Sequence, residues 1–344
     1  MKKFVSLMVV LTVALVGLSA CGSGEKTKGA SKKEENTLIV YSPNSEDIVN
    51  TLIPMFEKET GIKVELVSAG TGELLKRISS EKENPYADVM FGGLNKSKLT
   101  NEDLFEKYTS KNDKDMIEGH QNIAGVLTPY ITDGSNILIN TDLIGDIKIE
   151  GYEDLLNAQL KGKIAAADPA SSSSGFAQLT NMLLAMGGDY ESDKGWDYVG
   201  SLIKNLDGKV ANGSGAVHKG VADGEFVVGL TYEDPSASYI RDGAPVKIVY
   251  PKEGAVYLDA ALAIIKDAKH KENAEKFIDF MTSKEAQDIF GEDLTNRPLR
   301  KDAALGNHMV PMKDIKILTE DEDYVQKNKD KIVNQYTDLF TELQ

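Results

Sequence analysis

The sequence predicts an α/β protein, on three observations. Thr37-Leu38-Ile39-Val40-Tyr41 reads as a strand, Ile48, Leu52, Ile53 and Phe56 share one helix face, and Ile62 to Val67 alternates as a second strand. That unit is βαβ, so its strands should run parallel. A second strand, begun at Lys163, passes through Asp168-Pro169 into Ser171, Ser172, Ser173, Ser174 and Gly175, then into helical apolar spacing from Ala177 to Met186. Third, strand-like and helix-like stretches keep alternating along the chain, with no repeat of fixed period.

In order, Ser42-Pro43-Asn44-Ser45 is a turn with Ser45 placed to cap the first helix. Glu46 and Asp47 suit the positive end of its dipole, and Gly61 ends it. Ser68 to Gly72 leaves the second strand, a helix runs from Glu73 to about Ser80, and Asp88 to Gly93 is a third strand. Leu104 to Tyr108 reads as a short helix, and Gly151 to Leu156 as the opening of another. Gly134 to Asn140 is a strand near which the chain should leave its first domain. Asp193 to Asn205 is a long helix whose Trp196, Val199, Leu202 and Ile203 form a core stripe. Lys209 to Ser214 is a loop of small donors, followed by a helix from Ala216 to Asp223. The buried strand Glu225 to Tyr232 runs into Glu233-Asp234-Pro235-Ser236, which begins a helix. Val246 to Tyr250 and Leu258 to Ile265 are strands, and 273–290 holds one or two helices. The charged stretch Thr319 to Lys331 reads as a solvated helix.

The 344 residues leave room for about two domains at ~150 residues each. A net charge of −15 argues against a nucleic-acid partner. Any anion must then be held by local dipoles and donors, against the overall field. Lys2 and Lys3 precede an apolar run, Val5 to Leu18, too short to span a membrane and suited to a signal-peptide core. Leu18-Ser19-Ala20-Cys21-Gly22 resembles a bacterial lipobox, in which the cysteine is lipidated and becomes the mature N-terminus. Cys21 is the sole cysteine, which removes disulfides, thiol catalysis and cysteine metal clusters together. Loss of residues 1–20 would carry off two lysines and take the charge from −15 to −17. Residues 21–36 read as a lipid-anchored flexible tether.

Four donor-rich loops could converge on one cleft: 42–45, 68–72, 168–176 and 212–214. Ligands of parallel sheets bind beyond the carboxyl ends of the strands, where the first two loops lie. The Asp168 to Phe176 loop is either an anion site, with helix N–H groups and serine hydroxyls as donors, or a capping cluster with spare serines. Tyr232, Glu233, Asp234 and Glu253 could accept from hydroxyls or pair with an amine. Acids at 233 and 234 equally suit a helix N-terminus with no ligand. Catalysis finds little support. His120, His218, His270 and His308 are scattered, and no nucleophile elbow, H-E-x-x-H, P-loop or dinucleotide fingerprint occurs. A secreted hydrolase using a loop serine, or a surface adhesin, remains a reading from another class. No cofactor or resident metal is expected.

With the lipobox and the βαβ start in place, the chain resembles an extracellular solute-binding protein of an ABC importer. The matching stretches are Leu38 to Asn44, Phe56 to Val64, Ala87 to Phe91, Asp168 to Gly175 and Asn273 to Phe280. They are similar to the family-1 branch that holds ferric-ion, thiamine, phosphonate and sugar-phosphate binders. The resemblance implies a two-lobe, type II periplasmic-binding-protein fold with the ligand cleft between lobes. It places lobe I at 37–134 and 259–310, and lobe II at 135–258 and 311–344. Ferric binders of that branch carry adjacent tyrosines where this chain has Leu230-Thr231-Tyr232-Glu233-Asp234, so the usual iron site lacks its main parts and iron stays the alternative. In the phosphonate and sugar-phosphate relatives the small-residue loop takes the phosphate. By position that role falls on Ser171, Ser172, Ser173, Ser174 and Gly175, and further on Ser42, Asn44 and Thr71, while Ser45 and Asn212 are candidate ligands as members of the donor-rich loops. The expected partners are a small anionic solute, ABC permease subunits and the membrane, through lipid on Cys21. The expected location is outside the cytoplasmic membrane (the periplasm, if the cell has an outer membrane), as a monomer.

Overall fold

A computed structural model of the chain describes residues 36–96, 99 and 101–343. The expected signal segment, Cys21 and nearly all of the tether lie outside them. The βαβ start is as the sequence implies. β1 (Thr37–Ser42) and β2 (Lys63–Ser68) pair in parallel from Thr37↔Lys63 to Ser42↔Ser68, and α1 (Glu46–Thr60) crosses between them. Gly61 closes α1 at φ 72°, a left-handed cap that glycine takes without strain. α2 (Thr71–Ser80) follows, then β3 (Val89–Leu94), parallel to β1.

β4 (Thr128–Asn140) is the organising strand. It is longer than the periodicity indicates, because Pro129, Thr132 and Asp133 interrupt the apolar pattern of its first half. After β5 (Ile164–Ala165) come α3 (Ser173–Gly187), α4 (Asp193–Leu206), α5 (Ser214–Ala222), β6 (Val228–Tyr232) and α6 (Glu233–Arg241). β7 (Val246–Val249), β8 (Ala255–Ile264), α7 (Lys271–Met281), α8 (Lys284–Glu292), β9 (Arg297–Pro298), β10 (Ile317–Leu318), α9 (Glu322–Lys327) and α10 (Lys329–Leu343) complete the described chain.

The first half of β4, Thr128 to Gly134, pairs with β8 and β9, and β8 pairs in turn with β3. The second half, Ser135 to Asn140, pairs with β6 and β7, and β6 with β5. One strand therefore serves two halves of a curled sheet, changing partners at Gly134. A Cβ there would lie 2.2 Å from the Tyr257 ring, so the handover requires glycine. The halves have separate cores. Phe56, Phe91, Phe277 and Phe290 pack with α1, α7 and α8 on one, and Leu179, Trp196, Val199 and Leu202 with α3 and α4 on the other.

Three expected elements differ. Leu104 to Tyr108 is extended after a single 3₁₀ turn, Glu102–Leu104, because Phe105 bridges to Ile265. The helix expected at Gly151 is a 3₁₀ turn, Glu153–Leu156. The charged C-terminal stretch forms α9 and α10, which bury Val325, Ile332 and Tyr336 in the second core and so do more than coat the surface. Among the described residues, no helix is long and apolar enough to cross a membrane.

Candidate functional site

Two helix N-termini meet beside the β4 handover. At α3, the Ser172 hydroxyl accepts from Gly175 N at 3.2 Å, and Asp168 accepts from Ala170 N at 2.9 Å to set the preceding turn. This leaves the Ser173 and Ser174 N–H groups without partners among the described residues. A Cβ on Gly175 would stand 2.5 Å from the Ala167 carbonyl oxygen, so only glycine lets α3 start this close to β5. At α5, Gly213 is the N-cap and offers no side chain. The Tyr232 hydroxyl, at the end of β6, bonds Ser174 Oγ and donates to Ser214 Oγ at 3.2 Å. Donors and positive dipole ends are therefore concentrated around one phenol.

Ser173, Ser174 and Tyr232 open onto a cavity of about 250 Å³ lined also by Asp133, Ser135 and Glu320. Asp133 Oδ1 accepts from Glu233 N at 3.0 Å and Asp234 N at 3.1 Å, capping α6. Burial, then the charges of Asp234 and Glu233, hold its carboxyl well above the usual range. Burial also raises Glu320, whose Oε1 accepts from the Thr180 hydroxyl at 3.0 Å. The lining thus combines helix N–H groups and hydroxyls with two carboxyls.

The residues expected from sequence divide into two groups. Ser173, Ser174 and Tyr232 line the cavity. Ser171 donates to Asp168 and, at 3.2 Å, to the carbonyl of exposed Asn212, so it ties two loops together. Ser45 is exposed at the α1 N-cap with no side-chain capping bond. Thr71 begins α2 and packs with Pro43 against Gly93, where the carboxyl ends of the first strands gather. The rest are bonded to neighbouring parts of the fold. Ser42 is buried and donates to Phe91 O at 2.8 Å. Asn44 donates to the same carbonyl at 3.0 Å and accepts from the Tyr130 hydroxyl at 2.9 Å. Glu233 forms a two-pronged ion pair with Arg297, at 2.6 and 2.5 Å, and also accepts from Tyr250. Asp234 accepts from Thr295 at 2.5 Å, and Glu253 from Tyr152 N at 2.9 Å. With its acceptors so engaged, none of these three carboxylates faces the cavity. Asp133, Ser135 and Glu320 take that place. The polar break Asp133-Gly134-Ser135 in a strand signals the first two, and nothing local signals Glu320. Neither Ser173 nor Ser174 has a histidine partner. His218 bonds Thr231 at 3.4 Å and is lowered by burial.

The family model for bacterial extracellular solute-binding proteins matches residues 51–319. The chain belongs to that family. It is a solute-binding protein of the kind that serves ABC importers, and its two-lobe architecture is the family's. A periplasmic protein of Salmonella typhimurium whose name proposes 2-aminoethylphosphonate binding is 26% identical over 252 residues, 72% of each chain. Iron uptake protein A1 of Synechocystis is 27% identical over 326 residues, covering 88% of this chain and 89% of that protein. The periplasmic binding protein AfuA from Actinobacillus pleuropneumoniae, solved with exogenous fructose-6-phosphate, shares the fold at a TM-score of 0.70. It is 24% identical and covers 89% of this chain and 98% of that one. The family acts outside the cytoplasmic membrane, by binding.

Proposed function

We propose that this chain captures a small solute with a phosphate or phosphonate head and a donor-bearing tail, and hands it to an ABC permease. One observation carries the reading: the α3 and α5 N-termini converge on the Tyr232 hydroxyl, across a cavity from Asp133 and Glu320. The head would lie on Ser173, Ser174 and Tyr232, where the unpaired N–H groups of the α3 N-terminus meet the phenol, with Ser214 behind it. Asp133 and Glu320 would accept from the tail, the role first expected of Glu233, Asp234 and Glu253. Ser45 and Thr71 would close on the solute from lobe I. The lobe limits at 134/135 and 258/259 follow the β4 handover and its partner strand. We take the loop serines as ligands rather than nucleophiles, since Ser174 is bound to a phenol and not to a base. A lipid on Cys21 would hold a monomer to the membrane. Two of the relatives named above carry a phosphorus compound in their name or title, and one carries iron.

Calorimetric titration with inorganic phosphate, phosphate esters and phosphonates tests this. At least one should bind, and Ser174→Ala should weaken it about tenfold or more, the worth of one hydrogen bond to a charged group. Failure of the whole panel, with tight binding of ferric ion, would overturn the proposal in favour of an iron receptor.

A further inference from the structure

Another cavity adjoins the one at α3. A second chamber of about 340 Å³ shares Leu258 and Glu320 with the first and is lined also by His120, Tyr257 and Asp259. Alone, the first chamber is smaller than ordinary small-molecule sites, which run from about 300 to 1,000 Å³, and the two together fall within that range. His120 Nδ1 lies 2.9 and 2.8 Å from the two Asp259 oxygens. The carboxylate oxygens accept from Nδ1, which leaves Nε2 to face the chamber. Nε2 has no partner among the described residues. Glu320 stands at the junction of the chambers, with Thr180 bound at one oxygen only. Groups able to bond a hydroxyl therefore line both chambers: Asp133, Glu320 and the His120–Asp259 pair. A single ammonium would answer one of them. A chain of hydroxyls answers all three.

We infer that His120 and Asp259 form a tail subsite that selects phosphorylated polyols or sugars over two-carbon phosphonates. The inference rests on the phosphoryl-head reading. Asp259 positions the imidazole, and His120 Nε2 bonds a tail hydroxyl, which can either donate or accept. The test compares a short probe, 2-aminoethylphosphonate, with a long one, fructose 6-phosphate, on wild type, His120→Ala and Asp259→Asn. The long probe should bind at least tenfold tighter than the short one to wild type. Each variant should lose at least tenfold more affinity for the long probe than for the short, and the short probe reports that the variant is folded. Equal binding of both probes, or equal losses for both, would overturn the subsite while leaving the head site standing. Failure of every phosphoryl probe would overturn both.

Discussion

Arg297→Met tests how the two halves of the sheet are held. Arg297 lies on β9, which pairs with the first half of β4, whereas Glu233 opens α6 directly after β6, on the second half. Their side chains are 2% and 1% exposed, and two short bonds join them. Burial works against the guanidinium's charge, but the hydrogen bonds and charge of Glu233 outweigh it and raise Arg297 above its ordinary value. Removing the arginine leaves Glu233 as a buried, unpaired carboxylate with Tyr250 as its remaining donor. Breaking such a pair from one side costs about 3–5 kcal/mol. For a chain of this size that lowers Tm by roughly 10 °C. Urea unfolding and calorimetry of Arg297→Met, Glu233→Gln and the double variant should show the double losing about 0.5–3 kcal/mol less than the two singles combined. A single variant within about 1 kcal/mol of wild type, or full additivity, would refute the idea that the ion pair staples the halves together.

Three further outcomes are expected. The Asp133 carboxyl is raised in the fold by burial first, so its contribution to stability is full below the unfolded value, about 3.9, and is lost as pH climbs through the folded one; Asp133→Asn should raise Tm at pH 8, with the gain vanishing near pH 4, as read by thermal scans across pH. Ser172→Ala removes the bond to Gly175 N and should cost about 1 kcal/mol by urea titration. Gly175→Ala forces a Cβ against the Ala167 carbonyl at 2.5 Å and should cost about 1–3 kcal/mol while weakening phosphoryl binding, because the α3 N-terminus has to move.

The fold was largely legible in the chain because its signals are local. The alternation of Ile62 to Val67, the helical stripe of Trp196, Val199, Leu202 and Ile203, and the βαβ order each follow from neighbouring residues. The first half of β4 was illegible because Pro129, Thr132 and Asp133 look like loop residues until β8 and β9 supply their partners. The charged stretch Thr319 to Lys331 misled for the same reason: Val325 alone cannot show a core face without the core it enters.

The candidate site separates along the same line. Its donor wall is local, since a serine-rich loop feeding a helix carries unpaired N–H groups wherever it is placed, and Ser173 and Ser174 accordingly reach the cavity. Its acceptor wall depends on long-range pairing. Glu233 looks available until an arginine 64 residues away occupies both of its oxygens. Asp133 looks like a strand interruption until β4 changes partners beside it. A carboxylate's place in this cleft is thus decided by how many of its oxygens the scaffold takes. Arg297 holds Glu233 by both, whereas Asp133, which caps α6 through Oδ1 alone, and Glu320, bound by Thr180 at one oxygen, still line the cavity.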